Sequence, residues 1–418
     1  MDILRHGKLI GVTAIYQIII QAVSLISGFL IVRLIPTEEY AWYTIANTML
    51  GMMTVISDGG INSSLMAQGG KVWQDRIAFA EIFSTAYFLR KRFALISMAI
   101  ALPFLYFLLH KQHASFVTTF LIIIALIPAF FASLSDNLLQ VAPKLHQNVI
   151  AIQKNSLTVS LFRFLIIIPF LFAFPFTWLI ILLTGFTRIY GNAKLWRENK
   201  KYFTTTNHIN TLVKQNMIRQ VSRLLPGTIY YCFSGQIAIW LMSLLGSNTS
   251  VAGLGALGRF SLIFSIFPAV FGSIITPKFS KIAENSKSLS VLFIRIQLLG
   301  LLAGILITII FLLFSNYFLL LLGPSYSHLD LELVLSIGAS MLGICAGFSF
   351  SLFTGRGWSI HPLITIGVNL FAVIVGIMFF NVNTLKGVLM MNVFVNAVQY
   401  FMNTIFCFYK IKSSKSVS

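Results

Sequence analysis

The chain carries few charged residues for its length, and acidic residues are the scarcest of them. Only 10% of its 418 residues are charged, whereas 57% are hydrophobic. A soluble domain has roughly 25% charged residues, so this composition cannot cover a water-exposed surface. Lipid must surround most of the chain, and each backbone group must be satisfied within its own segment. The apolar runs are continuous and do not alternate with period two, which favours helices over a β-barrel.

Motifs for catalysis and metal binding are also missing from the sequence. The three cysteines have no CxxC spacing, the seven histidines form no HExxH pair, and there is no P-loop or nucleophile motif. A net charge of +19 would suggest nucleic acid in a soluble protein, but here the charges lie between apolar runs and no RNA or DNA motif accompanies them. We therefore predict a membrane protein that is not an enzyme, has no cofactor or catalytic residue, and binds neither metal nor nucleic acid.

Twelve apolar segments are each near the roughly 20 residues that cross a bilayer as a helix. The predicted spans are 9–33, 41–65, 92–110, 115–138, 156–175, 177–193, 225–245, 250–275, 292–315, 332–354, 361–380 and 386–409.

Basic residues predict the orientation of these spans. The two termini and the even-numbered connections hold 24 of the 30 lysines and arginines, whereas the odd-numbered connections hold 3. Basic residues accumulate in cytoplasmic loops. We therefore expect both termini to be cytoplasmic, with the basic segment 71–92 lying along the lipid headgroups.

The longest polar stretch, 194–224, divides the spans into two sets of six. The predicted organisation is an N-terminal lobe over 1–200, a basic cytoplasmic linker over 201–224 and a C-terminal lobe over 225–418. A weak internal repeat at an offset of 211 places EYAWYTIANT, which starts at Glu39, against SVAGLGALGR, which starts at Ser250. Halves related in this way are common in transporters, with the substrate site between them.

Three predicted spans carry polar and small residues at helical spacing, which puts them on one face. A water-filled cavity is favoured for spans one and two, because Asp58 needs solvent or a cation partner. Packing between helices is favoured for span twelve, where no charge accompanies the amides. The three stripes are Gln17, Gln21, Ser24 and Gly28; Asn47, Gly51, Thr54, Asp58 and Asn62; and Asn392, Asn396, Gln399 and Asn403.

Arginines outnumber acidic residues in and near the spans. Because a guanidinium binds phosphate oxygens bidentately, this balance favours an anionic substrate such as a diphosphate over a cationic drug. Three alternatives stay open: a salt bridge for Arg259, snorkelling to the interface for arginines near span ends, and ion coupling or a helix end for Asp58. The residues counted are Arg33, Arg163, Arg188, Arg259 and Arg295, against Asp58 and Asp136.

Four stretches resemble flippases of the Wzx type, which export O-antigen repeat units and belong to the multidrug/oligosaccharidyl-lipid/polysaccharide (MOP) exporter superfamily. Ala41 departs from the family, which often has glycine there. The stretches are EEYAWYTIANTMLGMMTVISDGGI, RLLPGTIYYCFSGQIAIWLMSLL, VAGLGALGRFSLIFSIFPAVFGSIITPKFSKI and NYFLLLLGPSY.

This resemblance implies an all-α polytopic fold of about 12 helices, in two pseudo-symmetric six-helix lobes around a central cavity. It implies a bacterial inner-membrane protein that flips an undecaprenyl-diphosphate-linked oligosaccharide to the periplasmic leaflet by alternating access. Arg259 would contact phosphate or acidic sugar, and Arg33, Gln17, Gln21 and Asp58 would line the cavity. Membrane lipids, an O-antigen polymerase and a chain-length regulator are the implied partners. Asn47, Arg163 and Arg188 complete the candidate substrate-binding residues.

Two other functions stay open at this point. A multidrug or small-cation exporter would share the fold. A membrane-embedded glycosyltransferase or polymerase would need a large periplasmic loop, and the longest odd-numbered connection, about 316–331, is short.

Overall fold

The computed structural model describes residues 2–204, 206, 208–282 and 287–415. The structure is 87% helical and has no β-strand in the described residues, which confirms the all-α prediction. Ten helices of this part are long and apolar enough to cross a membrane. The chain is therefore a multi-pass membrane protein.

Contacts divide the chain into two compact units, Met1–Trp240 and Leu241–Ser418. The first contains α1 (Asp2–Leu34), α2 (Thr37–Asp58), α3 (Ile61–Gly69), α4 (Arg76–Lys111), α5 (Phe116–Leu139), α6 (Val141–Leu145), α7 (Val149–Ala173), α8 (Thr177–Asn199) and most of α9 (Thr211–Leu245). The second contains α10 (Asn248–Ser261), α11 (Ile266–Val270), α12 (Thr276–Ser280), α13 (Lys287–Leu313), α14 (Ser315–Leu322), α15 (Asp330–Gly355), α16 (Pro362–Phe379) and α17 (Leu385–Lys415).

All twelve predicted spans lie mainly on helices, and ten of them coincide with the membrane-length apolar helices. The other two, α2 and α8, have 22 and 23 residues and are less apolar. Both still reach the roughly 20 residues that a bilayer requires.

The span predicted over 41–65 is divided in two, because α2 ends at Asp58 and the next two residues, Gly59 and Gly60, have positive φ angles. Asn62 therefore lies on α3 and does not share the polar face of α2.

Several helices extend beyond the predicted spans at their basic ends. The side chain of Asp75 accepts hydrogen bonds from two backbone amides and so caps α4, which begins at Arg76 rather than near residue 92. The segment predicted to lie along the headgroups is thus largely the first part of α4. It remains helical because Phe79 and Phe83 are buried in a cluster with Leu138 of α5. Similarly, α9 begins at Thr211, within the predicted linker.

The predicted span 250–275 is helical throughout but is not a regular α-helix. A 3₁₀ turn over Leu262–Ser265 follows α10, and a π-helical turn over Phe271–Ile275 follows α11. Pro268 and Pro277 lie in this region, and proline has no backbone N–H to donate to the preceding turn. The ladder of hydrogen bonds therefore changes its spacing around both prolines.

The first connection of each unit follows the offset of the predicted repeat. Helices α1 and α9 end at Leu34 and Leu245, and α2 and α10 begin at Thr37 and Asn248. Both pairs are 211 residues apart, so the two units place this helix junction at equivalent positions in sequence.

Helices α5 and α8 run parallel and pack closely. The side-chain amides of Asn192 and Asn199 donate to the carbonyls of Ala132 and Leu139, at 2.7 and 2.9 Å, and each pair is 60 residues apart in sequence. A Cβ added at Gly185 would lie 2.9 Å from the Cα of Ala129. The amides thus fix the register of the two helices, and the glycine permits their approach.

In the second unit, α15 packs against α17. The amide of Asn403 donates to the carbonyl of Ala346 at 3.1 Å, and Ser349 and Thr404 share a hydrogen bond of 3.0 Å. Asn403 is buried, so this member of the span-twelve stripe has the packing role predicted for it.

We expect Gly185→Ala to lower the free energy of unfolding by about 1–3 kcal/mol, because the added methyl must displace the backbone of α5. Gly367→Ala is the matched control, since a Cβ at Gly367 meets nothing within 4 Å. Thermal unfolding of the purified variants, monitored by size-exclusion chromatography, measures the difference in their midpoints. Equal midpoints for the two variants would contradict the close approach of α5 and α8.

Candidate substrate-binding site

The exposed face of α2 is its polar face. Asn47 and Gly51 are exposed and Thr54 and Asp58 are partly exposed, whereas most other residues of the helix are buried. Lipid-facing helices show the opposite pattern, as α13 does with its exposed leucines and isoleucines. An aspartate and an asparagine are costly in contact with hydrocarbon. The predicted polar stripe of span two is therefore a surface that suits water or a polar ligand.

Asp58 lies at the end of this face in an ion pair with Arg90 of α4. The distance between Asp58 Oδ1 and Arg90 Nη1 is 3.1 Å, and the Arg90 side chain is only 1% exposed. Asp58 retains 28% exposure and also accepts a weak hydrogen bond from the backbone amide of Asn62. Sequence reasoning required solvent or a cation beside Asp58, and the structure provides Arg90 as the cation.

Arg90 depends on Asp58 for its compensation. Within the described part of the chain, none of the three guanidinium nitrogens of Arg90 donates a hydrogen bond. A buried guanidinium that loses its counter-charge is strongly destabilising. Asp58 thus holds α2 against α4 while part of its carboxylate remains accessible.

Some polar residues of α1 contact α7, and others are accessible. Gln17 donates to the side-chain carbonyl of Gln153 on α7 at 2.9 Å, and Arg163 of α7 donates to Ser24 at 3.3 Å. Gln21, one turn from both contacts, is exposed. Part of the stripe therefore joins α1 to α7, and part of it is accessible.

The remaining candidates of the first unit are Arg33 and Arg188. Arg33 is exposed in the last turn of α1, where a cation interacts favourably with the helix dipole. Arg188 Nη1 lies 2.5 Å from Asp136 Oδ2, and the amide of Gln140 donates to the same oxygen at 3.1 Å. Arg188 therefore belongs to an ion pair that joins α8 to α5, and it does not share contacts with the α1 and α2 residues.

Arg259 lies in the second unit, in the last turn of α10 and directly before the 3₁₀ turn. It is partly buried, whereas the neighbouring Gly258 is exposed, and a Cβ added at Gly258 would meet no atom within 4 Å. Arg259 therefore belongs to a different compact unit from the candidates described above.

Sequence reasoning missed two partners, Arg90 and Gln153. Arg90 was counted among the basic residues that set topology, although the need of Asp58 for a cation was a signal that one arginine lay close to it. Gln153 lies in the predicted loop 139–155, where no helix face could be assigned.

We expect Asp58→Asn to lower the free energy of unfolding by about 3–5 kcal/mol, because Arg90 then stays buried without a counter-charge. The double variant Asp58→Asn/Arg90→Met should recover most of this loss. Asp136→Asn is the matched control, and its cost should be nearer 1 kcal/mol because Arg188 is 38% exposed and reaches solvent. Thermal unfolding of the four proteins tests the order, and equal losses for the two single variants would contradict it.

Solved structures of one transporter fold superimpose on the chain over nearly its whole length. An inward-facing multidrug resistance MATE family transporter of the MOP superfamily has a TM-score of 0.73 at 15% sequence identity, covering 95% of this chain and 96% of that chain. An outward-facing transporter of the same family has a TM-score of 0.60 at 12% identity, covering 96% and 94%. A MOP superfamily transporter from Pyrococcus furiosus has a TM-score of 0.60 at 12% identity, covering 96% of this chain and 94% of that chain.

No protein-family model matches the chain, and no curated protein matches it in sequence. At 12–15% identity the likeness is one of fold. The helices described above therefore have the arrangement known from MATE transporters: this chain is a multi-pass membrane protein with a MATE-like fold.

Proposed function

We propose that this protein is an alternating-access flippase that moves an undecaprenyl-diphosphate-linked oligosaccharide, such as an O-antigen repeat unit, from the cytoplasmic to the periplasmic leaflet. The MATE-like fold supports export in general. The charge balance of the membrane helices supports the choice of an anionic substrate.

The observation that carries the proposal is the pairing of the two membrane aspartates. Asp58 is held by Arg90 and Asp136 by Arg188. A cationic substrate would have to displace an arginine from either carboxylate. An anionic substrate needs no such exchange, and guanidinium groups bind phosphate oxygens bidentately.

The polar side chains suit the other part of the substrate. Asn47, Gln17 and Gln21 are exposed amides. Gln17 also donates to Gln153, and Asn47 to the carbonyl of Tyr43, but an amide nitrogen that makes one such bond has a second N–H for a sugar hydroxyl. In this proposal they and the accessible part of Asp58 line the path of the oligosaccharide. Arg259, Arg33 and Arg163 interact with phosphate or acidic sugar, and Arg188 supports the path through its pair with Asp136.

Transport requires that the substrate bind the inward- and outward-open states differently. We propose that the head group enters from the cytoplasm while the isoprenoid tail stays in the bilayer. The proposal places the protein in the bacterial inner membrane with both termini in the cytoplasm, beside a polymerase and a chain-length regulator that use the released unit.

Export of multidrug substrates is the second candidate, because two of the similar structures are described as multidrug resistance transporters. The fold does not decide between the two. The Pyrococcus furiosus transporter of this fold is described as having a binding pocket of reverse polarity that suggests a different function.

We expect Arg259→Ala to reduce surface polysaccharide at least tenfold in the native host, because a charge-assisted bond to an anionic substrate contributes about 1.5–3 kcal/mol. Arg295→Ala is the matched control: Arg295 is an exposed arginine of the same unit on α13. Immunoblots should show equal insertion of both variants. Normal polysaccharide with Arg259→Ala would contradict the role of this arginine.

Deletion of the gene distinguishes the two candidates. A flippase predicts loss of surface glycan, accumulation of the lipid-linked unit on the cytoplasmic side and unchanged drug resistance. Increased sensitivity to cationic drugs with normal glycan would instead support multidrug export. Drug susceptibility and extracted lipid-linked sugars should be measured in the same strains.

A further inference from the structure

A groove of about 1050 Å³ lies within the first unit, apart from the exposed faces of α1 and α2. Residues of α5 and α8 and the first part of α4 line it, together with the segment that follows α8. The candidate substrate residues named above do not line it.

The groove follows α8 from Ile189 to Lys200. Eleven residues of helix rise about 16 Å. One leaflet of the hydrocarbon core is about 15 Å deep. The length of the groove therefore suits one acyl chain that lies in a single leaflet.

Its lining is mainly apolar and aromatic at one end and basic at the other. Pro128, Phe131 and Ile189 line the end that is furthest from the last turn of α8, and Arg197 and Lys200 lie at that last turn. Trp196 lies between them and is 36% exposed. This arrangement along the groove matches an amphiphile whose anionic head lies at the basic end and whose hydrocarbon tail lies at the apolar end.

The first part of α4 forms the opposite wall of the groove. Arg76 of α4 donates to the carbonyl of Lys200 at 2.9 Å, and the rings of Phe83 and Trp196 are 6.0 Å apart, so α4 starts beside the end of α8. Lys91 lies about two turns, or about 12 Å, further along α4 than Phe83, and its Nζ is 4.6 Å from the ring centroid of Tyr87. Lys91 therefore lines the middle of the groove and is not part of its basic end.

The described acidic residues do not neutralise the cations at the basic end. Glu198 is paired with Lys201, where the hydrogen bond raises the pKa of Lys201, and Glu81 of α4 contacts His208 and the side-chain amide of Asn210. Within the described ranges, no ion pair involves Arg197 or Lys200. The basic end of the groove thus presents two unpaired positive charges beside an apolar surface.

We propose that this groove binds an anionic phospholipid, with its phosphate at Arg197 and Lys200 and an acyl chain against Phe131 and Trp196. The basic end belongs to the loops predicted to be cytoplasmic, and the cytoplasmic leaflet carries the anionic lipids. This lipid site is separate from the proposed transport path and does not depend on the transported substrate.

Quenching of Trp196 by lipids with brominated acyl chains tests the proposal in the full-length protein reconstituted in vesicles. The signal of interest is the quenching that is lost in Trp196→Phe. We expect brominated phosphatidylglycerol to quench it at lower mole fraction than brominated phosphatidylcholine. Arg197→Gln and Lys200→Gln should each reduce this preference about fivefold, the factor expected for one basic residue at an anionic membrane surface.

The matched control is the triple variant Lys71→Gln/Lys144→Gln/Lys154→Gln, which removes three exposed cations of the same unit outside the groove. It should keep the preference within about twofold, as should Arg197→Lys, which keeps the charge. Equal quenching by both lipids, or an equal loss in the control, would overturn the proposal. Displacement of the lipid by inorganic phosphate at constant ionic strength would also overturn it, because the site would then recognise phosphate alone.

Discussion

The rule that a buried charge needs a counter-charge decides much of how this protein is built. Arg90 is almost fully buried, and Asp58 compensates it at 3.1 Å. The pair links α4 to α2, the helix that exposes its polar face. A carboxylate that is already paired with an arginine attracts a second cation only weakly, because the guanidinium neutralises most of its charge. The pair therefore affects how the unit packs and which charge a ligand at the α2 surface can carry.

The second ion pair and the buried amides extend the same principle. Arg188 with Asp136 joins α8 to α5, and the amides of Asn192 and Asn199 bond to carbonyls of α5 two turns apart. In a membrane, apolar surface alone does not select one helix partner over another, because lipid is equally apolar. Polar contacts and close glycine packing then fix the register. The groove over α5 exists because α4 and α8 are both held to this helix.

The two proposed ligand surfaces of the first unit differ in character. The α1 and α2 surface has amides and a partly exposed carboxylate, which suits a hydrated, hydrogen-bonding group. The groove has aromatic walls and two cations at one end, which suits an amphiphile. A sugar lacks the tail to fill the groove, and an acyl chain gains nothing from the amides of Asn47 and Gln21. The chemistry of the walls thus separates the proposed transport path from the proposed lipid site.

The sequence by itself determined the helical class, the twelve helical segments and the polar stripes of α1 and α2, because hydropathy and helical spacing are local properties. It also predicted that Asp58 needs a solvent or cation partner. Only the tertiary structure decided that Arg90 is this partner, that Gln17 and Arg163 contact α7 and α1, that α4 begins at Arg76, and that 3₁₀ and π-helical turns interrupt the regular α-helix after α10. These features depend on which helices meet, and 32 residues of sequence separate Asp58 from Arg90. No local pattern encodes such a contact, since it arises when helix packing brings the two charges into one apolar interior.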